Sequence, residues 1–172
     1  MAVTSSGTAT VTLPTDQQIL ITREFDAPAH LVYKAWTTPE LVRRWWHAKR
    51  GEMTTCEIDL RVGGKWRFLM EKGEHGEEMG MEAMGMYGEY RVIERPGRLI
   101  QTENFEGEWF EPMGGGTLNT FVLEERDGKT IWTGTSVYKS KEARDSVLQF
   151  PFAEGAEDSF KRLDELLESL KA

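Results

Sequence analysis

The side chains best suited to chemistry are thinly spread along this chain. Three histidines, His30, His47 and His75, stand too far apart to show a metal-ligand spacing. His75 lies in an acidic run from Glu71 to Glu78 whose composition is that of a solvated loop. The single cysteine, Cys56, falls on the apolar side of an alternating run and has no neighbour in sequence to activate it. That is the position of an inert buried thiol. No phosphate-binding glycine loop, dinucleotide fingerprint, nucleophile elbow or Cys-x-x-Cys occurs. The sequence therefore offers no catalytic residue, no metal ligand and no cofactor site.

The aromatic and methionine residues say more. Six Trp, eight Phe and eight Met are many for 172 residues. Strand and helix parity places Trp66, Phe68, Met84, Met86, Phe105, Leu118, Trp132, Phe152 and Phe160 on inward positions. Each taken singly is an ordinary core residue. Together they suit a curved sheet that encloses more volume than its rings fill, with methionine supplying adaptable apolar surface. Tyr90, Gln101 and Glu103 are the candidates to orient a guest in such a cavity.

The elements that must hold these residues follow from their periods. Gln18 to Phe25 alternates, and Asp26-Ala27-Pro28 ends that strand. A helix is expected from Pro28 to about Trp36. A second is expected from Pro39 to about Trp46, with the Thr38 hydroxyl as its cap. Period two then returns, with Cys56, Ile58 and Leu60 on one face and a turn at Arg61-Val62-Gly63-Gly64. Further strands are expected at roughly 82–94, 98–106, 116–126 and 129–139, with turns at Arg95-Pro96-Gly97 and Asp127-Gly128. After a short helical piece near Lys141–Gln149, Phe152, Ala156, Phe160, Leu163, Leu167 and Leu170 recur at helical spacing over about 18–20 residues. The pattern predicts an α+β domain: an antiparallel sheet of six to seven strands closed over a long C-terminal helix, with two short helices between the first two strands. Residues 1–16 read as a loose lead and 17–172 as the domain.

Composition narrows the partners. The formal net charge is -8, which disfavours a general nucleic-acid binder. Arg43, Arg44, Lys49 and Arg50 cluster locally, as a solvated helix end would. No apolar run approaches the ~20 residues of a membrane span. One cysteine and no secretory pattern point to the cytoplasm.

The element order is similar to the helix-grip fold of the START/Bet v 1-like superfamily. Ala35-Trp36-Thr37-Thr38-Pro39-Glu40-Leu41 with Arg44-Trp45-Trp46 resembles a segment of the activator of Hsp90 ATPase homologue 1-like family. Glu57 to Phe68, containing Asp59-Leu60-Arg61-Val62-Gly63-Gly64-Lys65-Trp66, resembles that family's hairpin. The resemblance covers roughly residues 18–170. It implies a cavity between sheet and final helix with Trp46 at its mouth. It also marks Glu154-Gly155-Ala156 as a departure, because relatives often carry Trp where Ala156 stands. The eukaryotic activator has a separate N-terminal domain, for which a chain of this length is not expected to have room.

Three readings remain open at this level. One is a binding module for a small apolar ligand. Another is a chaperone-associated stress factor, or a self-associating or protein-binding domain. The third is a cyclase- or hydrolase-like enzyme using a buried carboxylate such as Glu103.

Overall fold

Two tight turns set the sheet's path. In one, Gly63 takes a positive φ of 82°. In the other, Asp127 and Gly128 take 53° and 78°, the conformation that joins antiparallel strands through two residues. The computed structural model describes residues 2–6, 9–46, 52–71, 83–106, 116–149 and 152–171. Over these the strands are β1 (Ala2–Ser6), β2 (Ala9–Thr12), β3 (Gln18–Phe25), β4 (Glu52–Ile58), β5 (Lys65–Glu71), β6 (Ala83–Glu94), β7 (Arg98–Glu106), β8 (Thr117–Arg126) and β9 (Lys129–Val137). The helices are α1 (Ala29–Thr37), α2 (Pro39–Trp45), α3 (Lys141–Leu148) and α4 (Phe152–Lys171).

The described strands form one antiparallel sheet in the order β1-β2-β3-β9-β8-β7-β6-β5-β4. Only β3 to β9 is a non-sequential neighbour, and α1, α2 and the rest of the meander fill that crossover. The expected α+β sheet-over-helix architecture is present, with more strands than expected. The additional ones come from the N-terminal stretch read as a loose lead. There β2 pairs with β3 at Thr10 and Thr22, and Val11 is buried beside Ile19 and Tyr138. Threonine is a good strand former, but an Ala9–Val11 alternation is too short to stand out against its polar neighbours.

Two helix starts differ from expectation. Pro28 stands just outside α1 as its cap residue, and the Ala29 N–H donates to the Glu125 carboxylate at 2.7 Å. A side chain from β8 thus does what a local cap would do. Thr38 precedes α2 without a side-chain capping bond. At α3 the Ser140 hydroxyl does accept from the Ala143 N–H, at 3.0 Å.

Two tryptophans lie flat on the sheet because glycines make room. A Cβ at Gly134 would stand 2.5 Å from the Trp132 ring. A Cβ at Gly88 would overlap the Thr102 carbonyl oxygen and lie 2.8 Å from the Trp66 Nε1. That indole N–H donates to the same Thr102 carbonyl at 3.2 Å. Gly88→Ala should therefore destabilise the fold by about 2–3 kcal/mol through overpacking against backbone. Gly97→Ala, whose Cβ would meet only the Leu123 carbonyl at 3.8 Å, should change stability by less than about 0.5 kcal/mol. Urea midpoints of the two variants check the contrast.

Candidate functional site

Pairing register decides which strand residues look toward α4. One cross-strand row reads Arg23, Trp132, Leu123. The next reads Ile21, Gly134, Phe121, Leu99, and the one beyond it Ile19, Ser136, Asn119, Gln101, Tyr90. On the far side of the sheet Met86 stands opposite Phe68, with Trp66 two residues along the same face.

At the first row the helix is tied down. The Arg23 guanidinium donates to both oxygens of Asp164, at 2.8 and 2.7 Å, and to Glu157 at 3.3 Å. Its Cζ lies 4.8 Å from the centre of the Phe25 ring and 5.5 Å from that of Phe160. Glu157, Phe160 and Asp164 share one helical stripe at spacings of three and four. Burial works against the charge on Arg23. The Asp164 hydrogen bond and charge, with those of Glu157, outweigh it and raise the guanidinium's pKa. Two more bonds complete the fixing of α4: Ser159 Oγ donates to the Trp46 carbonyl at 3.0 Å, and Lys171 Nζ to the Asp26 carbonyl at 2.8 Å. An open cleft of about 250 Å³ lies beside this anchor, lined by Arg23, Glu24, Asp26, Asp164, Leu167 and Glu168.

From the anchor a continuous run of rings crosses the interior. Phe160 meets Trp132 edge-on at 5.3 Å, and Trp36 stacks on Trp132 at 4.9 Å. Trp45 lies 4.5 Å from Trp36 and is edge-on to Trp46 at 5.3 Å. Trp46 then faces Phe68 at 5.8 Å, and Phe68 meets Trp66 at 5.0 Å. As expected for consecutive helical residues, Trp45 and Trp46 part company. Trp45 is fully buried, with its N–H on the Ala35 carbonyl at 3.0 Å. Trp46 is half-buried at the end of α2.

Ile21, Phe121, Phe105 and Trp46 point inward, pack against the core and remain partly exposed. Between them lie polar groups: Asn119 and Gln101 are buried, and Glu103 is half-buried. The side-chain oxygen of Asn119 and the indole nitrogens of Trp46 and Trp132 are buried without a hydrogen-bond partner.

Of the residues expected inside, Trp66, Phe68, Met86, Tyr90, Trp132 and Phe160 are buried on the inward face. Phe105 and Ala156 are half-buried against the core. Leu118 is a correction. It is 39% exposed on the outer face, because its neighbours Thr117 and Asn119 take the inward positions. A one-residue error in strand parity moves a side chain to the opposite face. Met84 pairs with Met70 through the backbone; its side chain and that of Phe152 lie outside the described residues, as do His47, His75, Lys49, Arg50 and the 107–115 connection. Arg23, Phe121 and Asn119 are interior residues that sequence reasoning missed. The signal for Arg23 was available, since it continues the Ile19, Ile21, Phe25 alternation.

Cys56 is buried, and burial pushes its thiol up to about 11 against the pull of the Arg43 charge. Because the folded value is raised, the thiol favours the fold below its ordinary range and loses that contribution as pH climbs through about 11. Among the described residues, no three His, Cys, Asp or Glu side chains gather to hold a metal ion. None of the described helices is long and apolar enough to cross a membrane.

A curved antiparallel sheet gripping one long helix, with two short helices at its opening, is the helix-grip architecture. The chain belongs to the family of Activator of Hsp90 ATPase homolog 1-like proteins, whose sequence model matches residues 26–168. Among solved structures, a protein from Rhodobacter sphaeroides is 26% identical with a TM-score of 0.81, covering 94% of this chain and 99% of its own. A Mycobacterium smegmatis protein is also 26% identical, with a TM-score of 0.77 and coverage of 93% and 97%. A Nitrosomonas europaea protein, 21% identical with a TM-score of 0.75, covers 92% of this chain and 99% of its own, and shows the shared fold. No curated protein matches the chain.

Two outcomes follow. Arg23→Met should cost about 3–5 kcal/mol, since it leaves Glu157 buried and uncompensated, and Arg23→Met with Glu157→Leu should regain most of that loss. Denaturant unfolding of the two variants measures both. Native protein at pH 8 should react with Ellman's reagent far more slowly than protein in guanidinium, where one thiol titrates promptly.

Proposed function

We propose that this chain is a non-enzymatic binding module that holds a small apolar ligand between the inward face of the sheet and α4. The observation that carries this reading is the partial exposure of inward-pointing Ile21, Phe121, Phe105 and Trp46. In a filled core such side chains are sealed by neighbours. Here apolar surface faces inward and still meets solvent, beside rings that can stack on a guest. Methionine at position 86 adds a side chain that adjusts to varied shapes. Family membership supports the same reading, since the fold carries its ligands in this space. The family's name also suggests a chaperone partner, but that suggestion rests on the name alone. The buried thiol fits residence in a reducing compartment, and the cytoplasm is the place we assign to the protein.

The test uses N-phenyl-1-naphthylamine, a neutral apolar dye that brightens when buried. Saturable one-to-one binding is expected, with a rise in melting temperature that grows with dye concentration. Ile21→Trp should fill the open space and weaken the dye by on the order of tenfold while the melting temperature of the free protein stays close to wild type. Absence of any saturable signal with the dye would sink the reading. Recovery of an Hsp90-type chaperone in stoichiometric complex, without dye binding, would replace it with the partner reading.

A further inference from the structure

The interior polar groups carry a sharper statement about the guest. Ser136, Asn119, Gln101 and Tyr90 occupy directly opposed positions on β9, β8, β7 and β6, forming one polar row across the inward face. Asn119 is 3% exposed, Gln101 8% and Tyr90 3%. The row on one side is apolar, with Phe121 opposite Leu99, and the row on the other side places Thr117 opposite Glu103. A buried amide in such surroundings is costly unless something answers it. Ser136 is answered by the Tyr138 phenol. The Asn119 oxygen is not answered, and neither are the indole N–H groups of Trp46 and Trp132. The interior therefore holds an unpaired acceptor and unpaired donors.

The charges around the row restrict what can meet them. Among the described inward strand positions Arg23 is the one basic residue, and it is held by Asp164 and Glu157. Glu103, the next inward residue after Gln101 on β7, brings a carboxylate close to the row. A carboxylate or phosphate on a ligand would lose its water and meet no free cation among the described inward strand positions. The unpartnered Asn119 oxygen and the unpartnered indole nitrogens of Trp46 and Trp132 belong to neutral groups.

From this, and resting on the ligand-binding reading above, we infer that the site selects a neutral amphiphile: an apolar, ring-bearing body with one uncharged hydroxyl or carbonyl head seated on the Asn119 row. The experiment compares naphthalene, 2-naphthol, 2-naphthoate and 2-naphthylmethylamine at pH 7, followed by quenching of tryptophan fluorescence and by saturation-transfer NMR on the ligands. Naphthol should bind about tenfold tighter than naphthalene, the difference one added hydrogen bond makes. Naphthoate and the amine should bind more weakly than naphthalene. Asn119→Leu should lower naphthol to the affinity of naphthalene and leave naphthalene unchanged. Gln101→Met serves the same purpose if Asn119→Leu fails to fold. Naphthalene binding with naphthol no better, or a charged analogue binding tightest, overturns the neutral-head inference while the apolar site stands. Failure of all four ligands overturns both.

Discussion

A guanidinium sealed between two phenyl rings and two carboxylates decides where the long helix lies. Arg23 stands on an edge-side strand of the crossover, and its partners Glu157 and Asp164 stand two turns apart on α4. Apolar packing alone would let a helix slide or rotate on a curved sheet, because burial is roughly proportional to area and has no direction. A paired, hydrogen-bonded charge does have direction. Desolvating it is expensive, so such a pair adds little net stability, but any displacement that breaks it is heavily penalised. The Arg23 Nε and one Glu157 oxygen remain without partners, which accentuates that balance. The arrangement is better understood as a register pin than as a source of stability.

With α4 held there, the rest of the interior is constrained. Phe160 is brought onto Trp132, Trp132 is flattened over Gly134, and Trp36 closes over it from α1. Ser159 ties the same helix to the end of α2, which brings Trp46 to Phe68. The aromatic run therefore fills the end of the grip nearest the pin and thins toward the strand rows beyond Gly134. The helix cannot settle deeper on the sheet without breaking the Arg23 contacts.

Most of the fold could be read from the sequence because its signals are local. Strands β5 and β9 alternate cleanly, the β6–β7 and β8–β9 turns carry Pro-Gly and Asp-Gly, and α4 has a recurring apolar stripe. Trp66, Phe68, Met86 and Trp132 were placed inward by that alternation alone. Leu118 was not, because Thr-Leu-Asn-Thr-Phe offers two parities, and the apolar residue nearest the strand's start took the wrong one. Its true inward neighbours are Thr117 and Asn119, polar residues that a hydrophobic pattern discards. Arg23 was missed for the same reason. Its meaning depends on residues more than 130 positions away in sequence, and pairing at that range leaves no mark on a local period.

The missed residues have buried polarity in common, and they divide by whether the chain itself satisfies them. Arg23 finds its charge partners within the fold, so its polarity is spent on position. Asn119 lies in an equally dry setting, but its oxygen has no partner. Leucine or valine would pack there at less cost in desolvation, as Leu99 and Leu123 do elsewhere on the same face. A fold gains nothing from an unanswered amide, and the sheet's geometry does not require one, since any strand former fits that position. In the neutral-head reading we propose, its partner arrives from outside the chain. On that reading the Arg23 pin holds the grip and the Asn119 row orients the guest.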